Sequence, residues 1–101
     1  MDEKRLARVR KNLARRGLTQ VLIVDPLSIW WLCGYYTEPY ERFLALLVGA
    51  EGTPTLFVNC LFPDASDCGA RVVSFSDTDD PMALVAARTA HDLPLGVDKD
   101  L

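Results

Sequence analysis

Asp-Pro occurs twice in this chain, at Asp25-Pro26 and Asp80-Pro81, and the two pairs constrain the fold more than any other feature. An aspartate side chain accepts hydrogen bonds from the free amides that open a helix. Proline suits the first helical turn because its missing N–H is not needed there. Each pair follows a short run that suits a strand: residues 19–24, apolar and β-branched, and residues 71–75. Runs of that length, ended in that way, are strands that hand over to helices. The chain is therefore predicted to be an α/β domain, with helices packed on a sheet.

The other punctuation completes the pattern. Residues 2–16 read as a helix: Leu6, Val9 and Leu13 form one apolar stripe among charges, arginines crowd the last turn, and Gly17 supplies a left-handed cap. Residues 27–33 read as a short helix ended by Gly34, and residues 35–42, with Pro39 in the middle, as a loop. Residues 43–49 and 54–59 read as an antiparallel hairpin with a turn at residues 50–53. Residues 62–68 are predicted to form a short helix closed by Gly69. The second Asp-Pro is predicted to open a helix running to about His91, and residues 95–97 to begin a fifth strand. The expected product is a mixed β-sheet of about five strands with flanking helices. The sequence ends almost as soon as that last strand begins, which reads as a boundary inside a longer chain.

Composition narrows the classes. A chain of 101 residues is one small domain, burying roughly 60–65% of its unfolded surface. No apolar run approaches the ~18 residues of a membrane span, and the first residues lack the apolar centre of a secretory signal. The expected location is the cytoplasm. The net charge of −3 hides an asymmetry: seven of the eleven basic residues precede Gly17. A solvated helix face accounts for them. The segment has no aromatic residue before Trp30, so neither a base-stacking surface nor a membrane-inserting helix is supported. No nucleic-acid or membrane partner is expected. Cys33, Cys60 and Cys68 are an odd number without paired spacing, which argues against a disulfide framework. Cys33 and Cys60 are expected to be buried and Cys68, in a more polar segment, to be partly exposed.

A search for chemistry returns little. His91 is the only histidine, and a catalytic zinc site usually takes three protein ligands. Near a helix C-terminus, His91 is better explained by the helix dipole. The glycines are scattered turn and cap positions, with no phosphate-cradling loop and no nucleophile elbow. Asp25, Asp79 and Asp80 read as caps and Asp77 as part of a polar turn, and no spacing singles out a pair of carboxylates for acid–base work.

One segment resists a purely structural account. Residues 30–42 hold both tryptophans and all three tyrosines. Trp30, Trp31 and Leu32 suit the core of a short helix. Tyr35, Tyr36 and Tyr40, with Glu41 and Arg42 beside them, point to a contact surface. Tyrosine gives large contact area at little entropy cost, and arginine recognises carboxylates with two parallel bonds.

These residues carry a family resemblance. The order is an Arg-rich first helix, then Gly-Leu-Thr-Gln-Val-Leu-Ile-Val-Asp-Pro-Leu-Ser-Ile-Trp-Trp-Leu-Cys-Gly-Tyr. Glu-Arg-Phe-Leu-Ala-Leu-Leu-Val and Gly-Thr-Pro-Thr-Leu-Phe-Val come next, and Gly-Val-Asp-Lys-Asp-Leu closes the chain. This resembles the amino-terminal domain of the creatinase/prolidase family, which includes Xaa-Pro dipeptidases and aminopeptidases. The resemblance implies a ribonuclease H-like mixed sheet and a non-catalytic domain over residues 1–101, truncated at its C-terminal end. It implies a following C-terminal catalytic domain of pita-bread fold, absent from these residues, holding two divalent metal ions (Mn, Co or Zn). It further implies a homodimer acting on short proline-containing peptides. Tyr35, Tyr36 and Tyr40 would shape the substrate entrance, and Arg42 or Glu41 would meet a charged end of the peptide. The domain also suits a creatinase-like amidinohydrolase or a stand-alone protein-binding module.

Overall fold

A computed structural model of the chain describes residues 1–40, 42–89 and 95–97. The elements in order are α1 (Glu3–Arg15), β1 (Gln20–Ile23), α2 (Pro26–Cys33), β2 (Ala45–Gly49), β3 (Thr55–Asn59), β4 (Arg71–Phe75), α3 (Pro81–Ala86) and β5 (Gly96–Val97). The strands form one sheet in the order β4-β3-β2-β1-β5. β1, β2 and β3 run antiparallel in sequence, while β4 is parallel to β3 and β5 is parallel to β1. The expected mixed α/β sheet is the one observed.

Both Asp-Pro pairs behave as their chemistry dictates. The Asp25 carboxylate accepts from the Ser28 amide at 3.2 Å and from its hydroxyl at 2.8 Å. The Asp80 carboxylate accepts from the amides of Met82 and Ala83. Asp2 caps α1 in the same way, accepting from Lys4 and Arg5 at 3.0 Å. At the far end of α2, Gly34 takes φ +74° and its amide donates to the Trp30 carbonyl at 2.8 Å.

The core follows from the two-residue period of a strand. On one face, Val21, Ile23, Leu46, Val48, Leu56 and Val58 meet the α1 stripe of Leu6, Val9 and Leu13, together with Ile29, Leu32 and Cys33 from α2. On the other, Leu22, Ala45, Leu47 and Phe57 meet Phe75 and Val85 of α3. The register places same-face residues opposite one another, as in Val21 with Val48 and Leu46 with Leu56.

Five expectations are corrected. Residues 62–68 form turns rather than a helix: Asp64 captures the Ser66 amide at 3.0 Å and its hydroxyl at 2.9 Å. Such local bonding competes with the helical ladder. The last helix stops at Ala86, where Arg88 and Thr89 donate back only three residues, to Val85 and Ala86. His91 lies outside the described residues. Cys60 is exposed, because β3 ends one residue earlier, at Asn59. Cys68 is buried, because the turn after Asp64 carries it against the core beside the amino terminus. Of the two tryptophans, Trp30 is 51% exposed and Trp31 is half-buried, so of the three candidate core positions only Leu32 is fully enclosed.

Gly69 holds φ +80°, and a methyl group added there would lie 2.7 Å from the Met1 nitrogen. Gly34 holds φ +74° with nothing within 4 Å. Gly34→Ala is therefore expected to cost only the conformational term, about 1–2 kcal/mol. Gly69→Ala adds a steric clash and should cost more. Urea unfolding of the two variants checks this, and equal losses would contradict the packing described here.

Candidate functional site

The loop between α2 and β2 is tied down at both ends. At its start, the Tyr35 hydroxyl donates to the Pro63 carbonyl at 2.7 Å. Burial of the ring raises the Tyr35 phenol above its ordinary pKa. Next, the Tyr36 hydroxyl donates to Glu38 Oε2 at 3.1 Å, and that bond pushes its phenol up as well. The Arg42 amide then donates to the Pro39 carbonyl at 2.9 Å, closing a turn. Tyr40 sits inside this turn at φ +52°, the only non-glycine residue among those described with positive φ. A bulky side chain there is strained. The residue is nevertheless 85% exposed, so no packing among the described residues accounts for the conformation.

At the end of the loop, Arg42 grips Asp77 with two nitrogens, Nε at 3.2 Å and a terminal NH2 group at 3.1 Å. Asn59, almost fully buried, donates from Nδ2 to Asp77 Oδ1 at 2.7 Å, while its own Oδ1 accepts from the Leu61 amide at 2.9 Å. The guanidinium and the amide together hold the Asp77 carboxyl below the usual carboxylate range, and Asp77 raises Arg42 in turn. These groups line an open cleft of about 390 Å³ with Phe43, Phe75, Ser76, Asp79 and Pro81. The cleft lies where β3 and β4 end and β2 begins, the carboxyl end of a parallel strand pair where open α/β sheets commonly place ligands.

The sequence-predicted residues are thus partly assembled. Tyr36 and Tyr40 are exposed on the loop, Tyr35 is its anchor, and Arg42 already has an acidic partner. Glu41 lies outside the described residues. Sequence reasoning missed Asp77 and Asn59. No local signal marks either one, since Arg42 and Asp77 are 35 positions apart.

A second surface lies between α1 and α2. The guanidinium groups of Arg5 and Arg8 sit 5.1 and 5.7 Å from the Trp31 ring centre, and Arg5 also donates to the Trp31 carbonyl at 2.7 Å. Arg10 reaches across to the Gly49 carbonyl at 2.9 Å and to that of Gly52. Three cations expected simply to be solvated therefore tie α1 to α2 and to the hairpin turn.

Among the described residues no three His, Cys, Asp or Glu side chains converge to hold a metal ion. The Cys33 thiol is raised by burial and donates to the Ile29 carbonyl. The two-metal centre that the family resemblance implies is expected in a following domain, not among these residues. Among the described residues no helix is long and apolar enough to cross a membrane.

Among the described residues three carboxyls are lowered: Asp2 by the Arg5 amide, Asp64 by the Ser66 amide and Asp77 by Arg42. Each therefore adds stability that is complete above the unfolded value and lost as pH falls through the lowered one. The urea midpoint should hold from pH 7 to 5 and fall below about pH 4. Asp77→Asn should make that fall shallower, and an acid limb identical in the two proteins would contradict the Arg42–Asp77 geometry.

The family described as the creatinase/prolidase N-terminal domain matches residues 5–101. The fold is similar to that of a proline dipeptidase from Streptococcus pneumoniae, at 28% identity and TM-score 0.81, covering 92% of this chain and 72% of that one. A dipeptidase from Mycobacterium ulcerans is 32% identical with TM-score 0.71, over 84% of this chain and 24% of that one. An uncharacterized peptidase of Staphylococcus haemolyticus is 26% identical over 83 residues, 79% of this chain and 24% of its own length. The chain thus spans about a quarter of the length of the curated relatives it matches. It belongs to the creatinase/prolidase N-terminal domain family.

Proposed function

We propose that this domain forms one wall of the substrate entrance of a cytoplasmic Xaa-Pro metallopeptidase that hydrolyses the bond preceding proline in short peptides. In this reading the hydrolysis belongs to a C-terminal catalytic domain of the same protein, together with its two divalent ions, Mn, Co or Zn. Support comes from relatives described as a proline dipeptidase and as peptidases.

The observation that carries the reading is Tyr40: a strained backbone presents an exposed ring on a loop anchored on both sides. Strain of this kind persists where it positions a group for contact. Tyr36 and Tyr40 shape the entrance, and Tyr35 fixes the start of the loop. Arg42 spends two of its five N–H donors on Asp77. The remainder are available to the carboxylate of a short peptide, and Glu41, its neighbour in sequence, is proposed for the ammonium end. Assembly as a homodimer lets the loop of one subunit serve the site of the other.

In the full-length peptidase, Tyr36→Ala and Arg42→Ala are each expected to raise KM for Xaa-Pro dipeptides about tenfold, the equivalent of ~1.4 kcal/mol of lost binding. Steady-state kinetics with sizing chromatography checks this. Unchanged kinetics together with an unchanged oligomeric state would remove the proposal.

A further inference from the structure

The aromatic loop does not hold its pose by its own packing. Between its anchors the tyrosines are exposed, Tyr36 at 49% and Tyr40 at 85%. At the Arg42 end the contact is a partly exposed ion pair, which by itself holds little.

Three observations make this pair more than a surface contact. Its two-pronged geometry restricts both partners at once. Asp77 is oriented by Asn59, which belongs to β3 and is only 2% exposed. If Asp77 swung away, the Asn59 amide would be left buried without its acceptor, a costly state. The turn that carries Asp77 is itself stapled: the Ser76 amide donates to Asp79 Oδ2 at 2.8 Å, and the Asp79 amide donates to the Ser76 carbonyl at 3.0 Å. Asp79 faces the same cleft but spends its carboxylate on Ser76. Asp77 is thus the only carboxylate paired with Arg42 among the described residues.

We infer that Asp77, held by Asn59, is a positioning residue that fixes Arg42 and, through it, the pose of Tyr36 and Tyr40. The chain of contacts runs from the buried end of β3 through a short rigid turn to the last residue of the loop. The mechanical claim stands on this geometry alone. Its consequence for substrate rests on the entrance reading given above.

The test uses Asp77→Asn in the full-length peptidase, with Asp67→Asn as a control at an exposed site that belongs to neither anchor. Chymotrypsin, which cuts after tyrosine, reports on loop opening at Tyr36 and Tyr40, and a urea midpoint reports on global stability. Cleavage at those tyrosines is expected to rise about tenfold in Asp77→Asn, with the control unchanged and the midpoint lowered by no more than the small contribution of an exposed ion pair. KM for Xaa-Pro dipeptides should rise several-fold with kcat unchanged. Faster cleavage with an unmoved KM would support the clamp and defeat the entrance reading. Unchanged cleavage would overturn the clamp. Should Asp77→Asn lower the midpoint by more than that, Arg42→Gln removes the same pair without touching the turn that carries Asp77. It must then reproduce the tyrosine cleavage, and failure to do so overturns the inference.

Discussion

Burial of the β1-β2-β3 meander on both faces is the constraint on which the rest depends. Those strands have no solvent face to spend on function: every residue of β1 and β3 is buried, and so is all of β2 but its last glycine. Alternation assigns one set of side chains to α1 and α2 and the other to α3. A one-residue slip in register would exchange the two sets and leave neither packed. Polar chemistry is thereby driven to the ends of the sheet, where backbone leaves the core.

The candidate site occupies one such end. Asn59 closes β3, Phe75 closes β4, and Arg42 precedes β2. The buried amide of Asn59 connects the end of β3 outward through Asp77 to a loop whose Tyr36 and Tyr40 are exposed. This division of labour, a rigid scaffold presenting an exposed aromatic segment, is the usual way for a domain to carry contact residues without disturbing its core.

Local grammar was readable from the residues. The Asp-Pro pairs, Gly34 and the Leu6–Val9–Leu13 stripe each encode an element boundary or face through chemistry within one or two turns. Residues 71–75 were delimited as the strand that forms. What was not readable depended on competition or distance. The Asp64 side chain outbids the helix in residues 62–68, and the Thr89 hydroxyl joins the fraying end of α3. Arg42 and Asp77 meet only because β4 lies parallel beside β3, a pairing that no spacing announces. The tyrosines of the site were visible as an aromatic concentration. Their anchors and the strained backbone of Tyr40 were not, because both are properties of the folded loop.

The central claim is the proposal that this loop touches substrate. Photo-cross-linking tests it most directly: a benzophenone side chain is placed at position 40 of the full-length protein, and a labelled Xaa-Pro dipeptide analogue is offered. The account predicts a covalent adduct that an excess of unlabelled dipeptide suppresses. Absence of any adduct from position 40, with efficient labelling of the active site by a reactive analogue in the same preparation, would contradict it.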